Sequence, residues 1–238
     1  MFRSATTVAD RNDPFHCYSC GMPTSPGKTD APLAGRRAQA ARNDEVILEA
    51  ARAVFLDDPK APIAAVAERA GVGISALYRR YAGKEDLLRQ LCHDGLRHYI
   101  AEAETAMAEP DDWAAFAGFL ARVVDADVHS LTVHLAGTFT PTEEMGRDAM
   151  RANELATALF ERAQASGRLR PDMVVQDLGL LLEACAAVRV PDPERTGQLR
   201  RRQLAVLLAG LSAAPDTDPL PGPPPAAGEF DWRWRRRE

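Results

Sequence analysis

The chain has 238 residues, with 29 basic and 34 acidic side chains and a formal net charge of −5. This length allows one domain or two small ones, and 46% hydrophobic with 26% charged residues is ordinary for a globular protein. The sequence contains no uncharged apolar run of about 18 residues and no secretory h-region, so we expect no membrane association. Four scattered cysteines do not form a disulfide framework, which indicates a reducing, cytoplasmic location.

The charge is unevenly distributed. Residues 36–100 hold 11 basic and 9 acidic side chains, a net +2, whereas residues 101–210 hold 11 basic and 17 acidic ones, a net −6. The acidic pI near 5.6 therefore does not exclude a nucleic-acid partner, because the earlier segment has a basic excess.

Composition divides the chain into four predicted parts. Residues 1–35 are rich in Pro, Gly, Ser and Thr without periodicity and predict a disordered leader, and an alternative hypothesis starts the native protein at Met22. Residues 36–85 and 86–212 carry apolar residues at helical spacing with no alternating strand pattern, so the predicted fold class is all-α. Residues 213–238 are proline-rich and predict a disordered tail.

Proline, glycine and capping residues delimit the predicted helices. In chain order these lie at about 44–56, 62–70, 74–81, 84–108, from 111 or 112 onwards, 140–165, 171–188 and 193–212. Pro62 stands where a missing N–H has no cost, and Gly71 is a natural left-handed C-cap. The run 140–143 matches a capping box, while Pro171-Asp172 and Asp192-Pro193 open the last two helices.

The most informative segment runs from Ile63 to Tyr81. Two short helices joined by a turn that contains Gly71 have the spacing of a helix-turn-helix. Ala67 is small enough for the helices to cross closely, and Leu77 fills the small core behind the turn. The exposed face of the third helix then presents hydrogen-bond donors suited to the DNA major groove: Ser75, Tyr78, Arg79 and Arg80, with Lys84 just beyond.

The ordered motifs from about Asp44 to Leu91 resemble the TetR family of transcriptional repressors. They are Ile-Leu-x-Ala-Ala followed by Phe, then Val-Ala-Glu-Arg-Ala-Gly-Val, Leu-Tyr-x-x-Tyr and Lys-Glu-Asp-Leu-Leu. The later chain is similar through its all-α character and a Gly-Arg-Leu-Arg-Pro-Asp turn at 167–172. The resemblance implies a three-helix helix-turn-helix DNA-binding domain at 36–85, followed by a larger helical ligand-binding and dimerisation domain at 86–212.

By position, the resemblance implies DNA contacts at Ile63, Ala64, Ile74, Ser75, Ala76, Tyr78, Arg79, Arg80 and Lys84. Ala64, Ile74 and Ala76 stand where polar residues are frequent in the family. We therefore expect base reading to depend on Arg79 and Arg80 and on contacts with thymine methyl groups.

Two groups near the motif have more than one interpretation. The helical register predicts that Tyr81 is a core residue and that Tyr78 is a phosphate donor. Arg36, Arg37 and Arg42 precede the first predicted helix, where they form either a minor-groove arm or a disordered basic stretch.

The sequence predicts no catalytic residue, no cofactor and no metal site, and hence no enzyme. The pair Cys17 and Cys20 has no second pair of ligands, and a spacing of five does not place His129 and His134 on one helical face. No nucleophile–base motif, P-loop or dinucleotide fingerprint is present. The basic, Trp-containing end at 232–237 is expected to be a frayed tail.

The predicted function is a ligand-responsive regulator, most simply a repressor, that binds a palindromic operator in double-stranded DNA as a homodimer. An unknown small-molecule effector would release it. The resemblance implies that the last two helices pair with the same two helices of a second subunit in a four-helix bundle. Burial within a single subunit is an alternative explanation of the leucine-rich faces of these helices. A regulator without an effector and a helical protein-interaction module are the alternatives.

The effector pocket is expected among the middle helices. Its predicted lining residues are Trp113, Phe116, Phe119, Val123, His134, Phe139, Met150 and Leu155. Ordinary core packing is the favoured alternative for each of them.

Overall fold

The computed structural model describes residues 31–213, 218–226 and 228–229, with side chains from Asp44 onwards. These residues form nine helices: α1 (Ala31–Asp57), α2 (Ile63–Ala70), α3 (Ile74–Arg80), α4 (Lys84–Met107), α5 (Asp112–Asp125), α6 (Val128–Leu135), α7 (Glu143–Ala165), α8 (Asp177–Ala187) and α9 (Pro193–Leu211). The described residues contain no strand beyond one isolated β-bridge, so the predicted all-α class is confirmed. The described residues 31–39 belong to a unit separate from that of residue 40 onwards, and only their helical backbone is described.

Helix α1 begins at Ala31, well before the predicted start near Asp44. The prediction of a disordered leader is therefore wrong for residues 31–35, and residues 1–30 lie outside the described residues. The early part of α1 has no apolar stripe, which is why periodicity did not reveal it. Its Ala, Arg and Gln residues instead have high intrinsic helix propensity.

The two short helices are separated by the predicted turn. Gly71 has φ 65°, in the left-handed region, and its backbone N–H donates to the carbonyl of Glu68 at 3.1 Å. This confirms Gly71 as the C-cap of α2. Leu77 of α3 is fully buried, as expected for the residue that fills the core behind the turn.

The buried side chains form two clusters. The first, called here the N-terminal core, unites α1–α4 with parts of α6 and α7 and contains Ile47, Phe55, Ile63, Val66, Leu77, Tyr81, Leu87, Leu88, Leu91, Leu131, Leu135, Phe139 and Met145. The second lies among α4, α5 and α7–α9, with Phe116, Phe119 and Leu159 fully buried. Helix α6 therefore packs into the same core as α1–α3, across the predicted boundary between residues 85 and 86.

Helices α4 and α6 approach closely at Gly95. A Cβ atom at that position would lie only 2.8 Å from Cδ1 of Leu131. Gly95 is itself buried, and Leu131 is 2% exposed. The absence of a side chain at residue 95 therefore lets α6 press against α4.

Two later helices start after the positions that proline predicted, because side-chain hydrogen bonds determine where they begin. Helix α7 is capped by Thr142, whose Oγ1 accepts from the N–H of Met145 at 3.2 Å, so a cap at Thr140 is wrong. Helix α8 begins at Asp177, after the predicted Pro171. The carboxylate of Asp172 is bound by the guanidinium of Arg170 at 2.7 and 2.8 Å, so it does not cap a helix.

Part of the proline-rich tail is attached to this same turn. The Arg170 guanidinium donates to the carbonyl of Asp218 at 2.7 Å, and the N–H of Leu220 donates to the Asp172 carboxylate at 2.8 Å. The hydrogen bonds from Arg170 and Leu220 hold the pKa of Asp172 well below its usual range. The tail is thus attached to the helical body at Asp218 and Leu220, and its disorder elsewhere stays a prediction.

Replacing Thr142 by Ala should lower the free energy of unfolding by about 1 kcal/mol, because the N–H of Met145 loses its cap. Urea denaturation measures the change. Thr140→Ala is the matched control, since this exposed residue does not cap α7, and it should change stability by less than about 0.5 kcal/mol. Equal losses for both variants would contradict the assignment of the cap.

Candidate functional site

Helix α3 presents most of its side chains to solvent. Ser75, Arg79 and Arg80 are exposed, and Tyr78 is 52% exposed, whereas Tyr81 is 6% exposed. The prediction that Tyr81 is a core residue is thus confirmed, and burial raises the pKa of its phenol. The DNA contact of Tyr78 stays a prediction.

The apolar residues of the predicted DNA-contact set are divided between surface and core. Ile74 is 39% exposed, Ala76 is half-buried, and Ala64 is exposed on α2. Ile63 is 8% exposed, because it is the first position of the buried face of α2. Only its backbone at the start of that helix can face a phosphate.

The two arginines of α3 differ in their partners. Arg80 forms an ion pair with Asp44 of α1, with 42% and 21% of the two side chains exposed. Arg79 makes no ion pair within the part of the chain that the structure describes. Arg80 therefore holds α3 against α1, and the DNA contacts of Arg79 and Arg80 stay predictions.

Lys84 has two backbone partners. Its Nζ donates to the carbonyls of Pro59 at 2.8 Å and Ala61 at 2.7 Å, and lies 5.1 Å from the ring centre of Phe55. Burial lowers the pKa of this ammonium group. An ammonium has three donors, so one N–H remains for the predicted phosphate contact.

The predicted arm residues Arg36, Arg37 and Arg42 lie within the helical span of α1. Their side chains are outside the described residues, and so are Cys17, Cys20 and residues 232–237. The part of the chain that the structure describes contains no group of three or more His, Cys, Asp or Glu side chains able to hold a metal. It also contains no helix long and apolar enough to cross a membrane.

A cavity of about 430 Å³ lies among α4, α6, α7 and α8 and the described tail. Pockets of this size accommodate small organic ligands. Its wall is mainly apolar, with polar groups from His129, Thr132, Asn153, Gln176 and Glu183. Ala226 and Gly228 of the tail complete the lining.

None of the eight residues predicted to line an effector pocket borders this cavity. Phe116, Phe119, Val123, Phe139 and Leu155 are buried in the two cores, Trp113 and His134 are half-buried, and Met150 is 62% exposed. The Nδ1 atom of His134 is 2.9 Å from the carbonyl of Ser130 on its own helix. Helical periodicity identifies inward faces but does not separate a packed core from a cavity.

Small residues of α7 form one side of the cavity wall. Ala149, Ala152, Asn153 and Ala156 of α7 line it at a spacing of three or four residues, together with Gly95 of α4. Short side chains on one helical face leave a space that bulky ones would fill. This alanine spacing is the signal in the sequence that would have located the cavity.

His129 is the most deeply buried polar group of the cavity wall, at 4% exposed. Its Nδ1 is 3.3 Å from the carbonyl oxygen of Val123, and its Nε2 has no hydrogen-bond partner among the described residues. Burial lowers the pKa of this imidazole to about 4, so the ring is neutral near pH 7.

Asp127, two residues earlier, joins three helices. Its carboxylate pairs with Arg52 of α1 at 3.3 Å and with Arg200 of α9, and it accepts from the hydroxyl of Ser130 on α6. The Arg200 side chain is 7% exposed, and its remaining hydrogen bonds go to the carbonyls of Val188 and Ala186. Asp127 is the one non-glycine residue of the described chain with a positive φ, 52°.

The exposed α3, held by α1 and α2 and followed by a helical body, defines the class of a helix-turn-helix DNA-binding transcriptional regulator. Two family models match the chain. Residues 47–91 match "Bacterial regulatory proteins, tetR family", and residues 110–213 match "Transcriptional regulator SbtR-like, C-terminal domain". The chain belongs to the TetR family, as its motifs predicted, and regulators of this family are generally non-enzymatic.

Solved structures of TetR regulators have a similar fold. LfrR from Mycobacterium smegmatis, in complex with proflavine, is 24% identical with a TM-score of 0.57, over 76% of this chain and 99% of that one. KstR2 of Mycobacterium tuberculosis is 18% identical with a TM-score of 0.56, over 73% and 96%. A regulator from Mycobacterium vanbaalenii is 25% identical with a TM-score of 0.51, over 74% and 99%. None of the curated proteins matches the sequence.

Asp127→Asn should lower the free energy of unfolding by about 3 kcal/mol, because it leaves the buried Arg200 guanidinium without its anion. Asn also tolerates the left-handed backbone at this position. Asp125→Asn is the control: its ion pair with Arg201, at 2.6 Å, is 49% and 61% exposed and should contribute less than about 1 kcal/mol. Denaturation in urea separates the two, and similar effects would contradict the role of Asp127.

Proposed function

We propose that this chain is a transcriptional repressor that binds a palindromic operator as a homodimer and is released when a small molecule enters the cavity. The observation that carries the proposal is the position of α6. One face of α6 borders the cavity through His129 and Thr132, and another face supplies Leu131 and Leu135 to the N-terminal core. A change at the cavity therefore acts on the core that supports the recognition helix.

Helix α4 supports the same coupling. Its first turns place Leu87, Leu88 and Leu91 in the N-terminal core, and its next turns place Gly95 and Leu96 on the cavity wall. A ligand favours the conformation that it binds more tightly, so a ligand that displaces α4 or α6 shifts the population of recognition-helix positions.

Homodimerisation is supported by the outward faces of α8 and α9. Leu180 is 44% exposed, and Val206 is 62% exposed, although both are large apolar residues in regular helices. Ala205 and Ala209 beside Val206 are also exposed and small enough for helices to approach closely. A second copy of the chain, related by a two-fold axis, would cover this surface and set two recognition helices at the spacing of two half-sites.

The charge distribution favours one orientation on DNA. The segment that contains the recognition helix has a net charge of +2, and residues 101–210 have −6. The acidic residues 101–210 are repelled by DNA phosphates, so the surface that contains the recognition helix is the one that approaches DNA. In the related fold of LfrR the solved complex contains proflavine, which supports a small-molecule effector here.

Arg79→Ala should weaken binding to the operator by about 1–3 kcal/mol, because Arg79 is an exposed arginine of α3 without an intramolecular ion pair in the described chain. The DNA is the sequence that the native protein selects from a randomised pool, and fluorescence anisotropy measures affinity. Arg195→Ala, at the exposed start of α9, is the control and should bind as the native protein does. Failure of the native protein to select any sequence would overturn the proposed function itself.

Val206→Glu should convert the dimer to a monomer, because it places a carboxylate on the apolar face of α9. Light scattering after size-exclusion chromatography measures the mass. Met150→Glu is a closely matched control, since Met150 of α7 is equally exposed at 62% and lies outside α8 and α9. A Val206→Glu protein that stays dimeric would refute the assignment of the interface.

A further inference from the structure

We propose that Asp44 of α1 is a positioning residue of the DNA-binding surface, and that its ion pair with Arg80 fixes the C-terminal end of α3 for operator binding. Removing this acid should therefore weaken operator binding, although a carboxylate beside DNA repels phosphates. The positioning role rests on the proposed function, since its main test needs the operator. The ion pair itself does not, because its effect on stability is measured without DNA.

Asp44 depends on Arg80 for its charge balance. Its Oδ2 atom pairs with the Arg80 guanidinium, and 21% of the Asp44 side chain is exposed. Its Oδ1 atom is buried and has no hydrogen-bond partner among the described residues. A partly desolvated carboxylate is costly to leave without a cation. The guanidinium of Arg80 is therefore held towards α1.

Helix α3 is short, so few contacts determine its direction. It spans seven residues, and Leu77 is the buried residue within it. Arg80 is its last residue, and no other ion pair joins α3 to another helix in the part of the chain that the structure describes. Leu77 holds the middle of α3 in the N-terminal core, and the ion pair holds its end against α1. Without the ion pair, packing alone would set the direction of the helix axis.

Tyr81, directly after α3, lies close to the same guanidinium. Its side chain is 6% exposed. Burial raises the pKa of the Tyr81 phenol, and the nearby Arg80 opposes that rise. Arg80 is therefore near a buried phenol as well as a carboxylate, which supports its placement at the junction of α3 with the core.

Helix α1 is a firm support for this contact. Ile47 and Phe55 are buried in the N-terminal core, and Arg52 pairs with Asp127 at the turn before α6. Asp44 and Arg52 are eight residues apart on α1, which is about 12 Å along the helix axis. One helix thus carries both ion pairs, and it joins the start of α6 to the end of the recognition helix.

The position of α3 matters more for an operator than for unrelated DNA. Ser75, Tyr78 and Arg79 are exposed on this helix, and contacts of such residues with base edges require an accurate placement in the major groove. Phosphate contacts are independent of sequence and tolerate more displacement. Loss of the ion pair should therefore lower the affinity for the operator more than the affinity for other DNA.

The experiment compares full-length Asp44→Ala and Glu45→Ala proteins. Fluorescence anisotropy at one salt concentration measures binding to the operator that the native protein selects from a randomised pool, and to an unrelated duplex of equal length. Asp44→Ala should lower the ratio of the two affinities by about tenfold. Glu45→Ala should retain the native ratio, since Glu45 is the exposed neighbouring acid of α1. Both variants remove one negative charge, so electrostatic repulsion alone predicts the same change in both.

Combining the substitutions tests whether Asp44 acts through Arg80. In an Arg80→Ala background, Asp44→Ala should have no further effect on operator binding, because the ion pair is already absent. In urea, Arg80→Ala should unfold at a lower concentration than the double variant, because it leaves the Asp44 carboxylate partly buried without a cation. This second measurement requires no DNA.

Four results would overturn the inference. They are Asp44→Ala binding the operator as tightly as Glu45→Ala, equal losses on operator and unrelated DNA, losses that add in the double variant, and a double variant less stable than Arg80→Ala. If Asp44→Ala does not fold, Asp44→Asn replaces it with the same expectations, since it keeps the shape of the side chain and removes its charge.

These results are distinguishable from failure of the proposed function. A native protein that selects no sequence contradicts the proposed function, whatever the stability of the variants. A native protein that selects an operator, with Asp44→Ala and Glu45→Ala binding it alike, supports the proposed function and overturns the positioning role of Asp44.

Discussion

The carboxylate of Asp127 is the contact on which the arrangement of the helices depends. It binds Arg52 of α1 and Arg200 of α9, two residues separated by most of the helical chain, at the point where α5 turns into α6. A charge buried as deeply as Arg200 requires such a partner, because an unpaired guanidinium in the interior is strongly unfavourable. The positive φ of Asp127 is the backbone conformation that turns its side chain to both arginines.

This ion-pair network also links α1 to the helix that borders the cavity. The network holds α1 against the start of α6, and α6 in turn borders the cavity through His129. Packed helices have discrete arrangements rather than continuous ones, so a small displacement at α6 is transmitted to the N-terminal core instead of being absorbed locally. The recognition helix and the cavity are separate surfaces of one packed unit.

Local signals were sufficient for much of the fold. Gly71, Leu77 and the helix-turn-helix spacing acted as predicted, because a turn and a short helix pair depend on neighbouring residues. The predictions failed where distant residues decided the outcome. Pro171-Asp172 did not open α8, because Arg170 and the tail engage the Asp172 carboxylate. The eight residues predicted for an effector pocket do not border the cavity, and five of them are buried in the two cores.

The sequence by itself determined the helical class, the recognition helix and the family, since these follow from the period of apolar residues and from motifs that are contiguous in the chain. It also determined that residues 36–100, which contain the helix-turn-helix, have a basic excess, whereas residues 101–210 are acidic. Only the tertiary structure decided which buried helix faces pack together and which leave a cavity. It also decided that Arg80 pairs with Asp44 while Arg79 has no ion pair among the described residues, and that Nε2 of His129 has no hydrogen-bond partner among them. The physical reason is that burial and hydrogen-bond satisfaction are properties of residues brought together from distant parts of the chain.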